Sequence, residues 1–403
     1  MKKRILKILF FALSVVSFSE EITIDKAVEM GIENSSEIKV KQLENESKKN
    51  SLNSTKSSYY PILKASSSLS KNDDSDSNYS SSISLNQSLF KGGEIKSSVK
   101  KAELNLKLSE EELNLLKNSK RVEIVNLYIA ALKYENQLKI YKNSLEELKK
   151  EYEKEKIKFE KNMSSKFDIM NIEISISGVE ESIYSAEADY KNSLEKLKKN
   201  IGYYGSSEVT LVITEITKTD IDVENDIKKY LEESSYIKKK KLEEDIYESD
   251  IKSANSAYYP DINLTVNYSS EENSFDEWDL KAGVGFEYTI YDFGKRKSEK
   301  SNAVIALKQY ELERENEISD KKTEIRSKYE ELKAYEKIVK SKKEKIVKIE
   351  EKFEITKIKY ENRYIGSDDY LKDENELQKS RIESLNSELE MFYKYNEYKN
   401  LLQ

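Results

Sequence analysis

Hydrophobic and polar residues alternate one by one in four short segments of this chain. In the long stretches between them, hydrophobic residues recur every three or four positions. Residues 261–269 place Ile262, Leu264, Val266 and Tyr268 on one face and Asn263, Thr265, Asn267 and Ser269 on the other. Residues 278–291 repeat the pattern, with Trp278, Leu280, Ala282, Val284, Phe286, Tyr288 and Ile290 opposed to Asp279, Lys281, Gly283, Gly285, Glu287 and Thr289. Earlier in the chain, Tyr79, Ile83, Leu85 and Leu89 oppose Ser80, Ser82, Ser84, Asn86 and Ser88. Leu63, Ala65 and Leu69 oppose Lys64, Ser66 and Ser68. A period of two predicts strands near 62–70, 79–90, 261–270 and 278–291, each with one apolar face. At these lengths the pattern suits strands of an outer-membrane barrel, apolar toward lipid and polar toward a wet lumen, with Leu264, Val266, Leu280, Val284 and Phe286 facing lipid.

The segments between are helical in pattern and unusually long. Neither glycine nor proline occurs between Gly93 and Gly178, or between Gly294 and Gly366. Residues 94–160 therefore predict a helix of about 100 Å at 1.5 Å per residue. Its seam includes Leu138, Tyr141, Leu145, Leu148, Tyr152 and Phe159. The last four of these, Tyr141 and Leu138 aside, match Ile346, Ile349, Phe353 and Tyr360 at one constant offset. A preserved heptad phase predicts that both copies pack through the same seam. Return helices are expected near 167–200 and 368–402, and shorter helices over 22–58 and 223–257. Between the copies, Val209–Ile213 reads as a small strand ornament.

The whole pattern occurs twice. SSYYPILKASSSLS at 57–70 matches SAYYPDINLTVNYS at 256–269, and the chain's two prolines, Pro61 and Pro260, coincide. Tandem duplication gives a repeat at 20–203, a connector at 204–222 and a second repeat at 223–403, each a helix–β-hairpin–helix unit. Aromatic residues mark the strand ends. Tyr59, Tyr60, Tyr258, Tyr259, Phe90 and Tyr291 are expected at one membrane boundary, and Tyr79, Tyr268, Phe275 and Trp278 at the other. The intervening loops, 71–78 and 271–277, are polar and acidic. Four strands cannot close a barrel, and an open sheet in lipid leaves edge groups unpaired. One chain must therefore supply a share of a joint barrel: eight strands from two copies or twelve from three.

Met1-Lys2-Lys3-Arg4 and the apolar run that follows read as a signal peptide over 1–19, cleaved after Ser19. Its removal would take the net charge further negative than −7, which disfavours general nucleic-acid binding. The chain has no histidine and no cysteine, so no His or Cys metal site, thiol nucleophile or Ser-His-Asp triad is available. With 36% charged residues, neighbouring acids and lysines read as solvated helix faces, and no Walker loop or G-x-G-x-x-G occurs. No enzyme, catalytic residue, cofactor or metal is expected. The competing class is an exported coiled-coil structural protein or adhesin, which fits the heptads and the leader but not four paired alternating segments.

Three motifs resemble the TolC-type outer-membrane efflux proteins. Residues 23–38 (TIDKAVEMGIENSSEI) are similar to that family's opening motif, with Ser36 where proline is usual. Gln87 to Gly93 and Tyr288 to Gly294 resemble its barrel-to-helix transition, with Ser88 and Thr289 in place of proline. Phe159…Asn162…Asp168-Ile169-Met170 and Tyr360…Arg363…Asp369-Tyr370-Leu371 resemble its helical-tip motif, with Asn162 and Arg363 in place of the tip glycine. Asparagine tolerates a left-handed turn better than arginine does, so the second turn is expected to be reshaped around Gly366.

The resemblance implies a mainly α protein with a transmembrane β part. It would be a homotrimer whose chains each give four strands to a twelve-stranded barrel above long antiparallel coiled-coil helices in the periplasm. The implied function is the passive exit duct of a tripartite efflux or type I secretion system. Its partners would be a periplasmic adaptor (a membrane fusion protein), an inner-membrane transporter and outer-membrane lipid, without nucleic acid. It implies adaptor contacts at Asn162, Met163, Arg363 and Tyr364, and an aspartate ring at Asp369, with Asp368 and Asp168 nearby. Lys372 stands where a second acidic ring would be, flanked by Asp368 and Asp373. The residues themselves allow two readings of Asp369, a gate carboxylate or a helix cap; for Asp168 capping is preferred.

Overall fold

The computed structural model describes residues 20–71, 78–205, 209–212, 221–270 and 277–402. The expected signal peptide, most of the two acidic loops, Phe275 and Ile213 lie outside the described residues. The chain falls into two compact units that cut across the sequence repeats. One is built from residues up to Ser35, Lys120–Asp220 and Glu331–Glu397. The other is built from Ser36–Ser119, Ile221–Glu330 and Tyr398 onward.

Eight helices are described: α1 (Ile24–Asn34), α2 (Ser36–Lys56), α3 (Glu94–Glu160), α4 (Lys166–Ile201), α5 (Val223–Glu233), α6 (Ser235–Ser256), α7 (Lys295–Glu361) and α8 (Ser367–Leu401). α3 and α7 have 67 residues each, as the absence of helix breakers predicts. The two shorter helices predicted over 22–58 and 223–257 are each broken once. Ser35 leaves helical geometry with ψ 118° and Ser234 with ψ 144°. The Ser234 hydroxyl accepts from the Ile237 amide at 3.3 Å, so a serine cap restarts the helix.

In the first unit the strands β1 (Glu20–Thr23) and β4 (Val209–Val212) pair in parallel, placing the connector ornament. Tyr128, fully buried on α3, ties both strands to the helices: its hydroxyl donates to the Ile22 carbonyl at 2.6 Å and accepts from the Val212 amide at 2.8 Å. Around it Ile22, Ala27, Ile124, Leu197 and Ile201 form one buried core. Gly31 leaves room there for the Ile124 side chain, which an added Cβ would strike.

The predicted seam forms a second core in the same unit. Leu138, Leu148, Ile349, Phe353 and Tyr360 are buried in it, and Tyr141, Leu145, Tyr152 and Ile346 pack against it. Phe159 departs from the duplicated pattern. It is exposed, whereas Tyr360 is buried, stacks on Tyr370 at 4.7 Å and donates to Glu155 at 3.0 Å. The first copy has Ile169 where the second has Tyr370, so the stacking partner is missing there.

Candidate functional site

Two places carry the features that sequence reasoning singled out: the sheet in the second unit and the helix-to-helix turns in the first. The sheet is antiparallel, in the order β2 (Ile62–Ser70), β3 (Asn78–Lys91), β5 (Asp261–Ser270), β6 (Trp278–Glu287). β2 and β6 are its edges, and both are solvent-exposed along their full length.

Register gathers the apolar positions of all four strands on one face. Leu85 faces Val266, which faces Ala282; Ile83 faces Tyr268, which faces Leu280; Leu264 faces Val284; Ile262 faces Phe286. The structure thus brings Leu264, Val266, Leu280, Val284 and Phe286 together. The other face carries Lys64, Ser66 and Ser68 opposite Ser84, Ser82 and Ser80, then Asn263, Thr265 and Asn267. Hydroxyls bond across it, Ser66 to Ser82 and Ser68 to Ser80, each at 2.9 Å.

Two details differ from the alternation. A bulge between Ser88 and Phe90 takes Leu89 out of the pairing and brings Phe90 opposite Ile262 on the apolar face. Bulges of this kind add one residue and shift every later side chain. β6 also stops at Glu287 rather than continuing to 291, because its one partner among the described residues, β5, begins at Asp261 opposite Glu287. Beyond that point the described residues offer no strand for Tyr288–Tyr291 to bond. Phe90 and Tyr259 meet edge to face at 6.5 Å near one end of the sheet, and Tyr268 and Trp278 stack at 4.8 Å near the other.

Strand passes to helix through left-handed residues in both copies: Gly92 and Gly93, then Phe293 and Gly294. A side chain at Gly92 would meet the Ser256 carbonyl. In the second copy Asp292 holds the turn, accepting from the amides of Gly294 at 3.1 Å and Arg296 at 3.0 Å.

Both helical tips end in the same motif. Asn162 has φ 56° and Arg363 φ 61°. Amides bond back from Asn162 to Phe159 and from Met163 to Lys158, each at 2.8 Å. Arg363 bonds to Tyr360 at 3.0 Å and Tyr364 to Lys359 at 2.9 Å. This is the six-to-one and five-to-two pairing that closes a helix on a left-handed residue, usually glycine. The expected reshaping around Gly366 does not occur: Gly366 has no positive φ, and Arg363 takes the strained conformation itself. Asn162, Met163, Arg363 and Tyr364 all project into solvent.

The aspartates beyond the tips behave differently. Asp168 is half-buried in a reciprocal cap. Its amide donates to the Ser165 hydroxyl at 3.2 Å, and its carboxylate accepts from the Ser165 amide and hydroxyl. It also accepts from the Ser367 hydroxyl of the second tip at 2.8 Å. Burial pushes its pKa up, but these hydrogen bonds outweigh burial and hold it below the ordinary value. Asn171 joins the tips again, donating to Ser367 at 3.2 Å and to Asp368 at 2.5 Å.

In the second copy Gly366 stands where Ser165 stands in the first, so that position offers no hydroxyl to Asp369, and the neighbouring Ser367 hydroxyl donates to Asp168 instead. Asp369 is exposed and has no hydrogen-bond or ion-pair partner among the described residues. Asp373 is engaged within the chain, with Thr356 at 2.6 Å and Lys352 at 2.7 Å. Sequence reasoning missed the Ser367 and Asn171 links. The cap role preferred for Asp168 is legible in the Ser165-x-x-Asp168 spacing, but no local signal reports a bond between two tips. Among the described residues, no group of acidic side chains is arranged to hold a metal, and no helix is long and apolar enough to cross a membrane.

Comparison with known proteins follows the same lines. The model of the outer membrane efflux protein family matches residues 28–203 and 227–392. No curated protein matches the chain in sequence. The chain is similar to the solved structure of CusC, described as forming a transmembrane channel, at 14% identity over 94% of this chain and 91% of that one, with a TM-score of 0.81. It is similar to the CmeC outer membrane channel of Campylobacter jejuni, at 15% identity over 94% and 85%, TM-score 0.80. It is also similar to the open state of the MtrE outer membrane channel of Neisseria gonorrhoeae, at 13% identity over 94% and 88%, TM-score 0.78. At these identities the likeness to the three structures is one of fold.

Proposed function

The chain belongs to the outer membrane efflux protein family, and from that premise we propose that three copies close their sheets into a twelve-stranded barrel serving as the exit duct of a tripartite efflux or type I secretion system. The protein is an outer-membrane efflux channel with a periplasmic helical domain, not an enzyme. In this reading the apolar face meets lipid through Leu264, Val266, Leu280, Val284 and Phe286. The serine- and asparagine-rich face, which also carries Lys64, Asp279, Lys281 and Glu287, lines the lumen and holds water. Transport is then passive conduction, and energy comes from an inner-membrane transporter through a periplasmic adaptor that meets Asn162, Met163, Arg363 and Tyr364.

The observation that carries the assembly is the pair of exposed edges, β2 and β6, on a sheet whose one face is mainly apolar, interrupted at Ser67, Ser81 and Gln87. In lipid each unpaired backbone group costs several kcal/mol. Direction alternates along the order β2-β3-β5-β6, so β6 of one copy meets β2 of the next antiparallel, and the pattern continues until the ring closes. At the tips, the freedom of Asp369 suits a ring of three carboxylates at the tunnel mouth, favouring cations. Asp168, fully engaged by Ser165 and Ser367, takes the cap role instead.

Because the chain has no cysteine, Ser66→Cys on β2 and Gly283→Cys on β6 place two unique thiols on the lumen face of the two edges. A flexible bis-maleimide on the double variant in detergent is expected to give linked dimers and trimers, and nothing larger. Monomers alone, or dimers alone, would refute the three-copy barrel.

A further inference from the structure

We propose that Glu374 is held as a neutral carboxylic acid whose proton closes an acid–amide pair with Gln378, and that loss of this proton loosens the junction between α8 and α3. Glu374 lies on α8, five residues beyond Asp369, and only 1% of it is exposed. Its Oε1 accepts from the Ser144 hydroxyl of α3 at 2.6 Å and from the Gln378 amide nitrogen at 2.9 Å. Its Oε2 is buried without a partner, and so is the Oε1 of Gln378. Both orphaned atoms are acceptors, so neither can satisfy the other while Glu374 is ionised. The two residues are four apart and share one helix face. A single proton on the carboxyl supplies the missing donor: the acid O–H bonds the amide oxygen while the amide N–H bonds the acid carbonyl.

The surroundings favour that proton. Among the described residues no lysine or arginine forms an ion pair with Glu374. Arg381, on the same helix, is bonded to Glu350 at 3.2 Å. From α3 the acidic Glu147 and Glu151 face this region, and Tyr370 of α8 lies near all three carboxyls. Burial pushes the Glu374 pKa up and Glu147 adds to it, against the opposing effect of Ser144, Gln378 and Arg381. An acid whose folded pKa is raised leaves stability intact below its unfolded value, about 4.3. Stability is then lost as pH rises through the folded value and the proton is released to water. Glu374 is buried, and its helix neighbours Leu371 and Leu377 belong to the second core with Leu148, so the charge left behind has no solvent to meet it. Because this core lies beside the tips, the loosened junction eases the tunnel mouth; that step rests on the channel reading above.

The test is Glu374→Gln, which keeps both hydrogen bonds of the pair and cannot ionise. Wild-type protein is expected to lose thermal stability between about pH 5 and about pH 8. The variant is expected to lose less, melting roughly 2–4 °C above wild type at the higher pH and level with it at the lower. Infrared spectra of the wild-type protein at neutral pH should show a protonated carboxyl band that the variant lacks. In planar bilayers, wild-type conductance should rise with pH and the variant's should not. An absent band, or equal pH slopes in the two melts, overturns the acid–amide pair. With the pair shown, identical pH dependence of conductance overturns its link to the mouth. No conductance from either protein at any pH counts against the channel reading itself.

Discussion

An arginine at position 284 and one at 283 are adjacent in sequence and opposite in meaning. Val284 lies on the apolar face, paired with Leu264, one step along the strand from Ala282, the middle of the five apolar positions of β6. Gly283 lies on the polar face, paired with Thr265. An added Cβ there meets nothing within 4 Å, and its backbone is not left-handed. Arginine on a lipid face costs about 2–4 kcal/mol at the bilayer midplane and less toward the interfaces. Two residues along a strand rise about 7 Å, or roughly 5 Å along the membrane normal at a typical strand tilt. Val284→Arg is therefore expected near the lower part of that range, about 2–3 kcal/mol. This corresponds to a roughly 30–150-fold shift toward the unassembled chain. Gly283→Arg should cost well under 1 kcal/mol, since a lumen side chain keeps its water. The assay is reversible denaturant unfolding in phospholipid vesicles, with heat-resistant oligomer on unboiled gels as a second readout. Equal losses from both substitutions, or the larger loss from Gly283→Arg, would refute the assignment of faces.

The remaining expectations concern the tips. Ser165→Ala removes the reciprocal cap and should lower stability by about 1 kcal/mol, read in calorimetry. Because the Asp168 pKa is depressed in the folded chain, its contribution is present above the ordinary carboxylate value. It is lost as pH falls below about 4, and Asp168→Asn should flatten that acid limb of the melting profile. Asp369→Asn breaks no bond within the chain; single-channel recording should show reduced cation selectivity with an unchanged melting temperature. Unchanged selectivity with a lower melting temperature would leave Asp369 a helix cap. Arg363→Gly relieves a left-handed arginine and should stabilise by up to about 1 kcal/mol. Asn162→Gly should change less, because asparagine tolerates that conformation; equal effects in urea titrations would contradict the reasoning.

What the sequence determined by itself was everything that a period or a breaker can encode. The extent of α3 follows from a run without glycine or proline. The apolar set Leu264, Val266, Leu280, Val284 and Phe286 follows from alternation, and the equivalence of the two copies from Pro61 and Pro260. These properties are local, so they survive without knowledge of what packs where. Tertiary structure decided the rest. β6 ends at Glu287 because β5 offers nothing further to bond, and Phe90 takes the apolar face because of a bulge against β5. Phe159 and Tyr360 share a repeat position, yet only Tyr360 finds Tyr370 to stack on and Glu155 to bond. Asp168 and Asp369 also share a repeat position. Ser165 and the distant Ser367 bind the first, while Gly366 leaves the second free. Each of these outcomes turns on a partner far away in sequence, or on a neighbouring strand whose end no local pattern marks.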